Sequence, residues 1–129
     1  MGSLPLSLVS IALGASLGAW LRWGLSLWLN ARLLTLPLGT LVANLVGAYL
    51  IGMAVGFFND WPHLSPEWRL LAVTGFLGGL TTFSTFSAEA MTLLQQREYI
   101  AAFLHSGAHL LGSIALCIAG LATWRWLSA

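Results

Sequence analysis

The sequence predicts an all-α integral membrane protein with four transmembrane helices per chain, the third of them broken near the bilayer midplane. Three observations carry this. The 129 residues are 58% hydrophobic and only 7% charged, against roughly 25% charged in a soluble domain, so there are too few charges to cover a water-facing surface. Four apolar stretches, at about residues 4–29, 38–58, 70–94 and 99–126, each reach the ~20 residues needed to cross a bilayer. The third stretch contains TGFLGGLTTFSTFSAEA, in which glycines and hydroxyl residues crowd into an apolar span. Non-helical backbone is tolerated at that depth only where it is buried in protein or lines a wet cavity.

The first span follows MGSLPLSL without a charged leader region and continues to full spanning length, so it reads as a retained helix. Gly14 and Gly18 form a GxxxG pair for close helix contact. Arg22, near the far end, either snorkels to the interface or places a positive charge at the mouth of an anion path. In the second span Thr40 and Asn44 lie one turn apart on one face. Asn44 either holds an interhelical hydrogen bond or donates its amide NH2 to a passing anion. Ala43 with Gly47, Gly52 with Gly56, and later Ala108 with Gly112 are further small-residue pairs, from which we expect a homo-oligomer.

In the third span Gly78-Gly79 followed by Thr81-Thr82 favours local unwinding that frees carbonyls to bind a cation. A glycine-rich crossing of two helices without any ion is the simpler alternative. Phe83 and Phe86 are either lipid-facing or core residues, or rings whose electropositive edges line a path for a small anion. Glu89 is the only carboxylate well inside a span. It is a protonated structural donor, a partner of Arg22 or Thr40, or a proton-coupled site. On the fourth span His105, His109 and Ser113 recur at i, i+4 and i+8 as one polar stripe. A metal would want more ligands than these, and no Cys, Asp or Glu is near in sequence; interhelical bonds and a hydrated pore wall are the favoured readings.

The connections ARLLTLP, NDWPHLSPEW and QQRE hold Pro37, Pro62, Pro66 and most of the charges. All seven tryptophans fall at predicted span ends, as an interfacial belt requires. With the N-terminus on one side, Arg69 and Arg125 share that side while Arg32 and Arg97 take the other. This near-even count fits either a weak orientation bias or insertion in both orientations as an antiparallel dimer. Cys117 is the single cysteine, which excludes an intrachain disulfide. A net charge of +1 gives no nucleic-acid surface, and no nucleophilic constellation or phosphate loop is present in the sequence, so no enzyme is expected.

GFLGGLTTFSTFSAE, with GASLGAWLR in the first span and GTLVAN in the second, closely resembles the Fluc/CrcB family of fluoride channels over essentially the whole chain. The resemblance implies a dual-topology antiparallel homodimer in the bacterial inner membrane, with two fluoride pores and a structural Na+ at its centre. By motif, the Gly78 and Thr81 carbonyls would hold the sodium. Asn44, Phe83, Ser84, Phe86, His105, His109 and Ser113 would line the fluoride path, and Arg22, Thr40 and Glu89 would serve its vestibule or its structure. His105 and His109 depart from the Tyr and small hydroxyl residue expected there, which suggests pH-dependent conduction. The implied activity is passive fluoride export, with close donors replacing the water around the ion. A small proton-coupled exporter using Glu89 and a non-transporting assembly subunit are the competing classes.

Overall fold

The computed structural model describes residues 3–32 and 36–129, and within them every regular element is helical. The middle of the ARLLTLP turn, residues 33–35, lies outside the described residues. Helix α1 (Leu4–Leu29) starts at Ser3, whose hydroxyl accepts the Leu6 N–H at 3.3 Å, with Pro5 in the first turn. Helix α2 (Leu38–Asp60) is entered through Asn30, whose Oδ1 accepts the Gly39 N–H at 2.7 Å. The third span covers Pro66–Gln95. It comprises a first turn α3 (Pro66–Arg69), a π-helical stretch Leu70–Leu77, a last turn α4 (Gly78–Leu80) and, after a break, α5 (Ser84–Gln95). Helix α6 (Tyr99–Leu127) completes four helices long and apolar enough to cross a membrane.

The third span begins four residues earlier than its hydropathy suggested, because Ser65-Pro66 initiates a helix. It ends at QQRE as expected. There Arg97 takes a left-handed φ of 59°, and the Arg97 and Glu98 N–H groups bond back to Leu94 and Leu93. The π-helical stretch was not legible in the sequence. The break also lies slightly further on than the glycine pair. Gly78 and Gly79 remain helical, and Thr81 is the residue that turns extended, at φ −90° and ψ 154°.

The glycines serve close crossings instead. A Cβ on Gly14 would overlap the Leu71 carbonyl, one on Gly18 the Phe76 carbonyl, and one on Gly79 would sit 2.5 Å from the Ala15 oxygen. α1 and the first half of the third span therefore meet backbone to backbone. α2 and α6 pair in the same way, with Gly52 against the Cys117 carbonyl and Gly120 against that of Tyr49. Both GxxxG pairs are thus satisfied inside the chain, so they supply no argument for an oligomer. The buried apolar core is small, with one contiguous cluster of Ala43, Leu77 and Leu80, and large apolar side chains cover the outside, as a lipid-facing bundle requires.

Candidate functional site

In an unbroken helix the Thr82 N–H would donate to the Gly78 carbonyl. Here it donates to Asn44 Oδ1 at 2.7 Å, and Asn44 Nδ2 donates to the Thr82 carbonyl at 2.9 Å. The Thr85 N–H likewise turns away from Thr81 and donates to the Thr82 hydroxyl at 3.2 Å. Arg22 Nε donates to the Gly79 carbonyl at 3.1 Å. Side chains from α1 and α2 therefore satisfy the Gly79 and Thr82 carbonyls, while those of Gly78 and Thr81 lose their helical donors. Asn44 is an interhelical tie, and Arg22 ties α1 to the third span through Nε rather than pairing with Glu89.

The partner of Glu89 is Thr40, whose hydroxyl donates to Oε2 at 2.8 Å. Its other oxygen, Oε1, lies 3.5 Å from His105 Nε2. Asn44 Nδ2 also reaches His109 Nδ1, at 2.9 Å. The Asn44 amide cannot be turned over, because the Thr82 N–H fixes which of its ends is oxygen. His109 Nδ1 must accept that bond, which leaves the ring proton on Nε2. Both hydrogens of the Asn44 amide are committed.

The Phe86 ring lies against both imidazoles, with centroids 4.6 Å from His109 and 5.5 Å from His105, and meets Phe83 edge-on at 5.6 Å. A cavity of about 800 Å³ opens at the break. Asn44, Phe83, Phe86, His109 and Ser113 line it together with Gly78, Thr81 and Thr82. His105, Thr40 and Glu89 are not on its wall; they form a polar cluster that reaches it through Phe86 and His109. Ser84 is exposed, with its hydroxyl 3.3 Å from that of Thr82. Two participants were missed from the sequence. Ser106, on the cavity wall, lies two helical turns before Ser113 and could have been found by extending the stripe. The role of Thr82 as the docking point of Asn44 left no sequence signal.

The family model described as CrcB-like protein, Camphor Resistance (CrcB), matches residues 9–121. The chain belongs to the CrcB family. Its relatives include the "Fluoride-specific ion channel FluC" of Cupriavidus pinatubonensis (strain JMP 134 / LMG 1197), 59% identical over 124 residues, or 96% of this chain and 98% of that one. The protein of the same name from Pseudomonas putida (strain W619) is 55% identical over 122 residues, covering 95% and 96% of the two chains. That of Chromobacterium violaceum is 56% identical over 121 residues, covering 94% and 96%. With four helices able to span a bilayer, this CrcB-family chain is a multi-pass membrane protein.

Proposed function

We propose that the chain is a passive, fluoride-selective channel that lowers cytoplasmic fluoride. It works as an antiparallel, dual-topology homodimer with two pores in the bacterial inner membrane. The observation that carries this reading is the cavity at the helix break. Its wall combines an amide, hydroxyls and two aromatic rings, in a chain matched almost end to end by proteins named as fluoride-specific ion channels. Fluoride is small and strongly hydrated, so a path for it must offer close donors that hold without trapping. Ser113 and Thr82 offer hydroxyls, and the edges of Phe83 and Phe86 offer weakly positive hydrogens. An arriving ion competes with His109 for one hydrogen of the Asn44 amide, which ties passage to the hydrogen bond beside the break.

Phe83 is 80% exposed on the single chain. A second copy is the surface that would turn this ring from lipid towards a pore. Sodium fits the same arrangement. The Gly78 and Thr81 carbonyls have lost their helical donors, and oxygen dipoles of this kind suit a hard cation. Bound there, sodium would supply the positive charge that lets the carbonyl oxygens of two copies face one another. Gly78 and Thr81 of each chain would hold it.

The test is fluoride efflux from liposomes carrying the purified protein, with chloride as the control. Fast fluoride flux with negligible chloride flux is expected, and it is expected to be lost in Phe83→Ile and Asn44→Asp. A folded dimer that passes neither ion would sink the channel reading. Glu89→Gln separates the exporter from the channel: it abolishes proton-coupled transport but only perturbs a passive path.

A further inference from the structure

The geometry points to a transition-metal site of the zinc class at Glu89, His105 and His109. Three buried polar atoms converge there without a hydrogen-bond partner: Glu89 Oε1, His105 Nε2 and His109 Nε2. The two histidines are only 2% and 4% exposed, so bulk water does not serve these atoms. Ligand atoms of the three residues lie within 4.8 Å of one another. Zinc bonds of about 2.0–2.1 Å in a tetrahedron set neighbouring ligands about 3.3 Å apart. The 3.5 Å between Glu89 Oε1 and His105 Nε2 is already close to that edge, while it is too long for a good hydrogen bond. His109 is the third corner, with a ligand atom within 4.8 Å of the other two.

The chemistry of the donors agrees. Two imidazoles and a carboxylate form a set that suits zinc, copper or nickel better than a hard cation. Three protein ligands leave a fourth position open, as in zinc sites that take an exogenous ligand. No arginine pairs with Glu89 among the described residues, and Arg22 bonds through Nε to the Gly79 carbonyl instead. A divalent ion would supply the missing positive charge. Thr40 already supports the site from outside by donating to the second carboxylate oxygen.

One contact works against the metal. His109 can bind through Nε2 only when its proton sits on Nδ1, and there it faces the Asn44 NH2, a second donor. Metal binding therefore costs the Asn44–His109 bond. Replacing Asn44 by Asp would turn that opposing donor into an acceptor, completing a carboxylate–histidine–metal chain of the kind that strengthens metal sites.

The experiment is a titration of the purified, chelator-treated full chain with Zn2+ against a chromophoric chelator, with Co2+ as an optical probe of coordination. One ion per chain and a tetrahedral Co2+ spectrum are expected. Both are expected to disappear in His105→Gln and in His109→Gln and to survive in His63→Ala, which removes the only histidine outside the cluster. Asn44→Asp is expected to bind zinc about 10-fold more tightly. Absence of binding to folded parent protein, or binding that survives both histidine substitutions, overturns the site. Unchanged affinity in Asn44→Asp overturns the assignment of His109 as a ligand. Zinc is further expected to arrest fluoride efflux in the parent and in His63→Ala, and a chelator to restore it. That arrest rests on the channel reading, whereas binding does not: stoichiometric zinc on a protein that conducts nothing leaves the site standing and removes the channel.

Discussion

Before the break, the third span is pressed against α1 with nothing between the two backbones, and the glycines at the crossing have no room for a methyl group. After the break, α5 meets α2 and α6 through side chains: Thr40 to Glu89, Glu89 beside His105, Phe86 against His109. The first contact is held by shape, which has one solution and tolerates no added atom. The second is held by a few directional bonds, several of them incomplete, which can be exchanged for bonds to an ion. A membrane protein that must remain folded while it passes or binds ions can keep the two tasks apart in this way, on either side of Thr81–Phe83.

The largest expected effect comes from breaking the first contact. Gly18→Val would drive a branched side chain into the Phe76 carbonyl, an overlap of the kind that typically costs about 1–3 kcal/mol and here meets backbone that cannot give way. We expect little folded protein by size-exclusion chromatography in detergent. Gly24, on the same helix, has nothing within 4 Å of its would-be Cβ. Gly24→Ala should be neutral or stabilise by about 0.5–1 kcal/mol, as a helix-interior Gly→Ala exchange does. A severe defect at Gly24 would mean that a second copy of the chain covers that face.

The two halves were also unequally legible in the sequence. The spans, the tryptophan ends and the small-residue crossings follow from hydropathy and spacing, because lipid imposes length and composition directly. Which glycines face which helix does not, since spacing fixes a face but not its partner; Gly14 and Gly18 ask for a close helix partner, and only the fold shows that the third span is that partner. In the second half the stripe His105–His109–Ser113 was legible as a stripe. Its chemistry was not, because Glu89 is brought to it only by the packing of α5 on α6. A metal reading set aside for want of a sequence-near carboxylate therefore returns once the fold supplies one. The commitment of both Asn44 hydrogens was equally hidden, since it depends on where Thr82 breaks from its helix.

A smaller effect should come from pH. His109 holds its place by accepting from Asn44, and a protonated imidazole has no acceptor to offer. Acid would then set two donors face to face and free the Asn44 amide to turn towards the cavity. Flux is therefore expected to change as the pH falls and to lose that change in His109→Ser, which restores a hydroxyl that can accept or donate. A flat profile in the parent protein would show that the exchange of bonds around Asn44 does not limit passage.

The smallest effect is the most informative about Glu89. Thr40→Val keeps the shape of the side chain and removes one hydrogen bond to Oε2. A bond to a neutral carboxyl is worth about 1 kcal/mol, and one to an ionised carboxylate about 1.5–3. The loss of stability in Thr40→Val, compared with the same substitution made on Glu89→Gln, thus reads the charge that Glu89 carries in the folded protein. Equal losses in the two backgrounds would mean a neutral Glu89, suited to a structural role. A larger loss in the parent would mean a buried anion beside two histidines, which is the arrangement a divalent metal completes.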